Sequence, residues 1–485
     1  MATLSSGLRV PLDVVSMILS RLDDTGPKFD IFCASLVCRS WYHAAFPTKF
    51  RNITIENVRQ LSDLTTRLEV DNDKGLIRLS SCLRALFVDI HSDDPHTHQE
   101  LYLTVLSRFQ LVIKQLVNLE ELSWTYYCEE TSVSAGIFGA FRDFCPKLRR
   151  VSIDKSQSGV PEFLKVDDLR RDVFTFKSLD NLAISWHDAI EGLFDPPSHL
   201  IEMIEGSPNL RRLELFLSGS SWGWQPSSFF HQIKNPLQEL IHLALGGYLD
   251  EEWYRLISGT LHTPGSFHSF LGQHSRLRVL HIFAVHKPQP DFVLHPEVAE
   301  RLFPSLVEFF GPSEMCIGIV TSRLATQLEI LFVIPTEDDE DNITIHPFER
   351  LSTVTRTLSQ LSELGFLDSG HPIFRSWSFN TENLQKLFYV TPQLKRLDLG
   401  SSNTRLVDLL APLHCVPGLT ELSIPDPEPI SLEDLMLFKY EITLLLNAHS
   451  RLGSITFQSK ANVSKTLYLR RLFNEPNYVT TYCMY

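Results

Sequence analysis

The sequence predicts an α/β fold: a solenoid with a face of parallel strands, headed by a short module of three helices. Three observations predict it. An apolar phrase of the form Leu-x-x-Leu-x-Leu recurs thirteen times, its copies begin 22 to 37 residues apart, and short breaks such as Cys145-Pro146-Lys147 and Ser207-Pro208-Asn209 precede many copies. Alternation inside the phrase has the two-residue period of a strand, the spacing leaves room for one helix per copy, and self-similarity on this scale is the mark of stacked repeats.

The first element is the opening helix. Pro11 suits the first helical position, where its missing N–H costs nothing, and Asp13 complements the positive end of the helix dipole. Val14, Ile18 and Leu22 follow at four-residue spacing with Val15 and Leu19 beside them, an apolar stripe about three turns long. Gly26-Pro27 breaks the chain. A second apolar run, Phe29 to Leu36, leads into Cys38 to Phe46, where Pro47 is expected to stop the third helix. Such a module, below roughly 60 residues, buries too little by itself and needs a partner or a neighbouring domain.

The repeats come next. Leu210-Arg211-Arg212-Leu213-Glu214-Leu215 and Leu394-Lys395-Arg396-Leu397-Asp398-Leu399 are the clearest copies, and looser ones start at Leu83, Leu119, Leu148, Leu179, Leu240, Leu277, Leu306, Leu328, Leu361, Leu419 and Leu452. The phrase resembles that of leucine-rich repeats, with a longer and less regular spacing. The resemblance implies parallel strands lining one concave side, each repeat burying its apolar face only against its neighbours. The expected organisation is residues 5–47 for the helical module, 48–82 for a connecting segment and cap, 83–457 for the solenoid, and 458–485 for a C-terminal cap or tail. An alternative reading, two or three globular domains, is disfavoured because no Gly/Ser-rich or Pro-rich linker interrupts the phrase.

The N-terminal wording is more specific than its periodicity. Val10-Pro11-Leu12-Asp13, the Ile and Leu at helical spacing, and Ser35-Leu36-Val37-Cys38-Arg39-Ser40-Trp41 resemble an F-box, and the combination with irregular repeats resembles uncharacterised fungal F-box domain proteins. Val10 stands where that family prefers Leu, and the Asp23 to Lys28 connection is longer than usual. The resemblance implies a Skp-type adaptor, and through it a cullin, as partner. Its adaptor-facing residues would be Val10, Pro11, Leu12, Ile18, Leu19, Leu22, Ile31, Leu36, Val37 and Trp41. It implies a substrate-recognition subunit of a ubiquitin ligase that is itself no enzyme and needs no cofactor, with an unknown protein cargo on the repeats. The alternative is a leucine-rich-repeat interaction scaffold without a ligase role, its helices only a cap.

Composition narrows the partners. Lys plus Arg is 44 against 58 for Asp plus Glu, a net charge of −14, and the first 45 residues are balanced, so the excess lies in the repeats. Nucleic acid is an unfavourable partner for such a surface, and a basic protein a favourable one. No run of about 20 apolar residues exists and the N-terminus lacks a signal peptide's basic start and apolar stretch, which points to an intracellular protein of cytoplasm or nucleus without membrane contact. Eight scattered cysteines fit reduced thiols.

Chemistry-bearing patterns are sparse. His91, Asp93, Asp94, His96 and His98 form the densest set of potential metal ligands, yet lack helical His-x-x-x-His spacing or a second cluster, and a solvated loop accounts for them. The run Glu337-Asp338-Asp339-Glu340-Asp341 lacks the Gly and the spaced Glu of a calcium loop. No nucleophile elbow, phosphate loop or dinucleotide fingerprint occurs, so no metal site and no catalytic residue is expected.

The strand register predicts where cargo sits. In a phrase starting at n, residues n, n+3 and n+5 turn to the core, and n+2, n+4 and n+6 to the concave side. The second and third repeats then present polar or small residues there: Glu121, Ser123, Thr125, Arg150, Ser152 and Asp154. The seventh to ninth present Val279, His281, Phe283, Glu308, Phe310, Ile330, Phe332 and Ile334, an exposed apolar patch rimmed by His281 and Glu308 and the expected cargo site. A covering loop, or a register slip of one, would remove it.

Overall fold

The computed structural model describes residues 33, 39–70, 78–90, 99–125, 131–155, 173–188, 198–219, 224, 226–247, 266–284, 294–334, 351, 356–366, 380–399, 406–425, 440–445, 449, 451–458 and 464–468. Two compact units divide the chain, residues 1–213 without 192–195, and residues 214–485 with 192–195. In the first, strands β1 (Asn52–Ile55), β2 (Ala85–Asp89), β3 (Glu121–Thr125), β4 (Arg150–Lys155) and β5 (Asn181–Asp188) pair in chain order, each parallel to the next. Strand β6 (Arg212–Gly219) runs across the division. In the second unit, β7 (His242–Gly247), β8 (Val279–Ala284), β9 (Glu308–Pro312), β10 (Ile330–Ile334), β11 (Glu363–Phe366), β12 (Arg396–Asp398), β13 (Glu421–Pro425) and β14 (Ser454–Gln458) are again parallel in chain order. A final strand, β15 (Ser464–Tyr468), pairs antiparallel with β14.

Every one of the thirteen phrases begins two residues before a strand, from Leu83 before β2 to Leu452 before β14. The phrase works because it lets each strand bond to the last in one way. In β8, for example, the amides of Arg278 and Val279 both donate to the carbonyl of Ile241, and Val307 with Glu308, then Glu329 with Ile330, repeat this on the carbonyls of Arg278 and Val307. Parallel neighbours need a crossover, and helices supply it, such as Gln99–Val112, Thr131–Phe144, Ser266–Gln273 and Thr381–Val390. The last is capped by Asn380, whose side chain accepts from the Glu382 amide at 2.9 Å.

The side-chain alternation sorts the two faces. Residues n, n+3 and n+5 are buried against the helices: Leu277, Leu280 and Ile282, or Leu328, Leu331 and Val333, are at most 1 % exposed. In the first unit the Trp124 ring meets Phe109, Phe138 and Phe141 from two helices at 6.1 to 6.4 Å between centroids. In the second, the Trp224 indole N–H donates to the Gly246 carbonyl at 3.1 Å and its ring packs on Phe229 and Phe230.

A further position, three residues before each phrase, organises the turns. The amide of residue n donates back to the carbonyl of n−3 at Leu210, Leu277, Leu394 and Leu452, and those n−3 residues, Ser207, His274, Thr391 and His449, are all buried and polar. Ser207 Oγ donates to the Met203 carbonyl at 3.0 Å and accepts the Leu179 amide at 3.1 Å. His274 Nε2 accepts the Leu237 amide at 2.9 Å while Nδ1 faces the Phe270 carbonyl at 2.5 Å, which selects the neutral ring protonated on Nδ1. At Ser207 and His274 the buried polar side chain takes an amide of the preceding repeat that an apolar residue would leave unpaired.

Burial lowers the His274 pKa below the ordinary histidine value, and the hydrogen bond to the Phe270 carbonyl opposes it only partly. The depressed value means the unfolded chain takes a proton, near pH 6.5, that the folded chain refuses. Stability is therefore expected to fall as pH drops through 6.5 toward the lower folded value. Thermal melts at pH 7.5 and 5.5 check this: His274→Gln should melt lower at the higher pH and lose less on acidification than the native chain.

Among the described glycines, Gly318, in the helix Ser313–Thr321, has the tightest backbone surroundings. A Cβ there would fall far inside van der Waals contact distance of the Leu294 carbonyl oxygen, a backbone atom that cannot rotate away. Gly318→Ala is expected to cost about 3 kcal/mol, the upper end of overpacking penalties, read as a lowered melting temperature.

The N-terminal helix described, Arg39–Lys49, runs through Pro47 rather than stopping at it. The Phe50 amide still reaches the Phe46 carbonyl at 3.1 Å, closing the last turn, since a proline removes only its own N–H. Phe46 and Phe50 then lie under the Arg67 guanidinium, 5.4 and 4.8 Å from its carbon.

Candidate functional site

On the sheet face turned from the helices, β6 to β11 of the second unit carry a strip of rings. His281 and Phe283 project from β8, Phe310 from β9 and Phe332 from β10, in register with one another: His281 pairs with Phe310, and Phe310 with Phe332. The Phe310 and Phe332 rings stack at 4.2 Å with 15° between planes, and His281 lies 4.3 Å from Phe310. Phe283 stands 6.1 Å from Phe310.

Two glycines shape this strip. Gly246 lies in register with Phe283, and a Cβ on it would collide with the Phe216 ring, so Phe216 of β6 and Phe283 of β8 meet across β7 at 5.4 Å. Gly365, in register with Phe332, is covered by the Phe332 ring in the same way. Glycine here leaves flat backbone for an aromatic ring to lie on.

Polar groups border the rings. His281 Nε2 is 2.8 Å from Glu308 Oε1, and His242 Nε2 is 3.0 Å from Glu214 Oε1, with the two imidazoles 5.0 Å apart. Further along, Arg396 reaches Glu363 at 3.2 Å and Glu421 at 3.7 Å. The Glu363 carboxyl is held above the ordinary carboxylate range, chiefly by burial; Arg396 pulls it down, while the fields of Glu308, Glu421 and Asp398 push it up.

The residues expected to hold cargo therefore fall together on one face: His281, Phe283, Glu308, Phe310 and Ile330 are half-buried there. Phe332 and Ile334 depart from the exposed patch expected of them, with 5 % and 4 % accessibility. Phe332 is buried between Phe310 and Gly365, and Ile334 sits beside buried Pro312 in the β9–β10 register. Phe216, Gly246 and Gly365 complete the strip and were not anticipated, because each matters only through a residue on another strand. Of the adaptor-facing set, Trp41 lies half-buried on the helix Arg39–Lys49. Val10, Pro11, Leu12, Ile18, Leu19, Leu22, Ile31, Leu36 and Val37 lie outside the described residues, as do His91, Asp93, Asp94, His96, His98 and the acidic run 337–341. Among the described residues no group of three or more His, Cys, Asp and Glu could hold a metal ion, and no helix is long and apolar enough to cross a membrane.

Comparison with known proteins adds one decisive observation at the N-terminus, a family model that matches part of the chain. Residues 8–56 are F-box-like. The F-box-like segment reaches through the helix Arg39–Lys49 and includes β1, whose residues pair with β2. No curated protein matches the sequence. Among solved structures, one described as the crystal structure of the Rad7 and Elc1 complex in yeast is 15 % identical with a TM-score of 0.39, covering 92 % of this chain and 87 % of that one. Another, the crystal structure of a TLR13-ssRNA13 complex, is 13 % identical with a TM-score of 0.32, covering 71 % of this chain and 44 % of that one.

Proposed function

We propose that the chain is a substrate-recognition subunit of a Skp–cullin–F-box ubiquitin ligase. The observation that carries the reading is the F-box-like match over residues 8–56. Val10, Pro11, Leu12, Ile18, Leu19, Leu22, Ile31, Leu36, Val37 and Trp41 meet the Skp-type adaptor, which links the chain to a cullin. The repeats, taken as leucine-rich over residues 83–457 between a cap at 48–82 and a C-terminal cap or tail at 458–485, hold a protein cargo on the ring-bearing face. His281, Phe283, Glu308, Phe310 and Ile330 form the contact, and Phe332 and Ile334, also expected there, pack beneath it. The strip supports this role because stacked aromatic side chains beside carboxylates supply both apolar area and direction for a partner.

The chain contributes no reacting group. It raises the concentration of cargo near the conjugating enzyme, which carries out the transfer inside the cell. Co-expression with a Skp-type adaptor followed by affinity purification tests the reading: a stoichiometric complex is the expected result. A chain that purifies alone is instead a repeat scaffold using its helices as a cap.

A further inference from the structure

Resting on the cargo reading above, we infer that the segment this face takes from its partner is a basic one, bearing arginine, laid across the Phe283–Phe310 rings with its guanidinium groups toward Glu308 and Glu363.

Three features of the face select that chemistry. The first is alignment. Glu308 and Glu363 occupy the same strand position two strands apart, about 10 Å, with Ile330 between them, so they make a carboxylate edge running parallel to the rings of Phe310 and Phe332. A guanidinium is the side chain that uses both at once: its plane stacks on an aromatic ring while its N–H groups reach an adjacent carboxylate. An ammonium ion makes the second contact as a point charge and the first less well.

The second is the chain's own use of the pattern. Arg396 already bridges Glu363 and Glu421 on this face, at 3.2 and 3.7 Å, and Arg67 lies over Phe46 and Phe50 elsewhere in the chain. The third is charge. Glu308, Glu421 and Asp398 all place negative charge on Glu363 against the pull of Arg396, so the edge favours a further positive group. A chain of net charge −14 draws a basic partner toward it over longer range as well.

The test uses the full-length chain and four fluorescein-labelled dodecapeptides of alternating sequence: Arg–Ala, Lys–Ala, Gln–Ala and Glu–Ala. Fluorescence anisotropy at physiological salt should show Arg–Ala binding about tenfold or more tightly than Gln–Ala, with Lys–Ala between them. Glu308→Gln with Glu363→Gln should remove most of that advantage. Glu382→Gln, on a surface helix and paired with Lys386, should leave it unchanged. Phe310→Leu, which keeps apolar bulk but removes the ring, should bring Arg–Ala down to Lys–Ala. Equal binding of Arg–Ala and Gln–Ala overturns the inference, and so does an equal loss from Glu382→Gln, which would mean only attraction to an acidic chain. The cargo reading is tested apart from this. Proteins that co-purify with the native chain, are lost on Phe310→Ser and bind through neutral or acidic segments would leave that reading standing and sink this one.

Discussion

Replacing Ile18 and Leu22 together by Asp is expected to abolish co-purification with a Skp-type adaptor while leaving the melting of the repeats unchanged. Four residues apart, both fall on the apolar stripe of the helix that the sequence predicts, and so on one predicted face. Each aliphatic side chain buried against a partner contributes about 1.5–3 kcal/mol. Losing two removes roughly 3–6 kcal/mol, a factor of about a hundred to ten thousand in Kd, before the cost of burying two carboxylates is added. The complex should go from stoichiometric to undetectable in a pull-down. An adaptor that stays bound to the double variant would move the contact away from this helix face and reject the assignment of these residues. Circular dichroism separates the outcomes: an unchanged spectrum and melting curve show that the repeats have kept their fold.

The second large effect is on cargo. Serine at Phe310 and Phe332 should eliminate proteins that co-purify through the repeats and keep the adaptor. The two positions are not equivalent, however. Phe332 is 5 % exposed, between Phe310 and Gly365, so truncating it costs about 3–5 kcal/mol of folding as other buried phenylalanines do. Phe310 is half-buried and shows part of its ring on the face. Phe310→Ser alone is therefore the sharper probe, with Phe332→Leu, which holds volume, as the control for packing. Loss of cargo with Phe310→Ser and an unchanged melting temperature is the expected outcome. Cargo retained at native levels by a folded Phe310→Ser chain would place the contact elsewhere.

How far the sequence led can be read at particular residues. The thirteen phrases lie two residues ahead of β2 to β14, and the alternation that puts Leu280 and Ile282 inward and His281 and Phe283 outward was legible from the letters. That success has a local cause: neighbouring side chains on a strand point to opposite faces, so one register sets every position. Ser207, His274, Thr391 and His449 gave no such signal. They are polar residues of types common in loops; the Leu179 amide brought to Ser207 and the Leu237 amide brought to His274 explain the burial of those two, while the Thr391 hydroxyl turns back to the Leu387 and Phe388 carbonyls. Antiparallel β15 was also unannounced, since it carries no copy of the phrase.

The same division runs through the candidate site. Sequence by itself determined the F-box-like wording of the N-terminal segment, the parallel-stranded repeat that follows, and which residues of each strand share a face, because these properties are written in short-range spacing. Only the tertiary structure decided that Phe216 meets Phe283 across Gly246, that Phe332 is buried on Gly365 while Phe310 stays partly open, and that Arg396 lies between Glu363 and Glu421. Those contacts join residues 25 to 67 positions apart, and nothing in the spacing within one repeat specifies what the next strand offers opposite it.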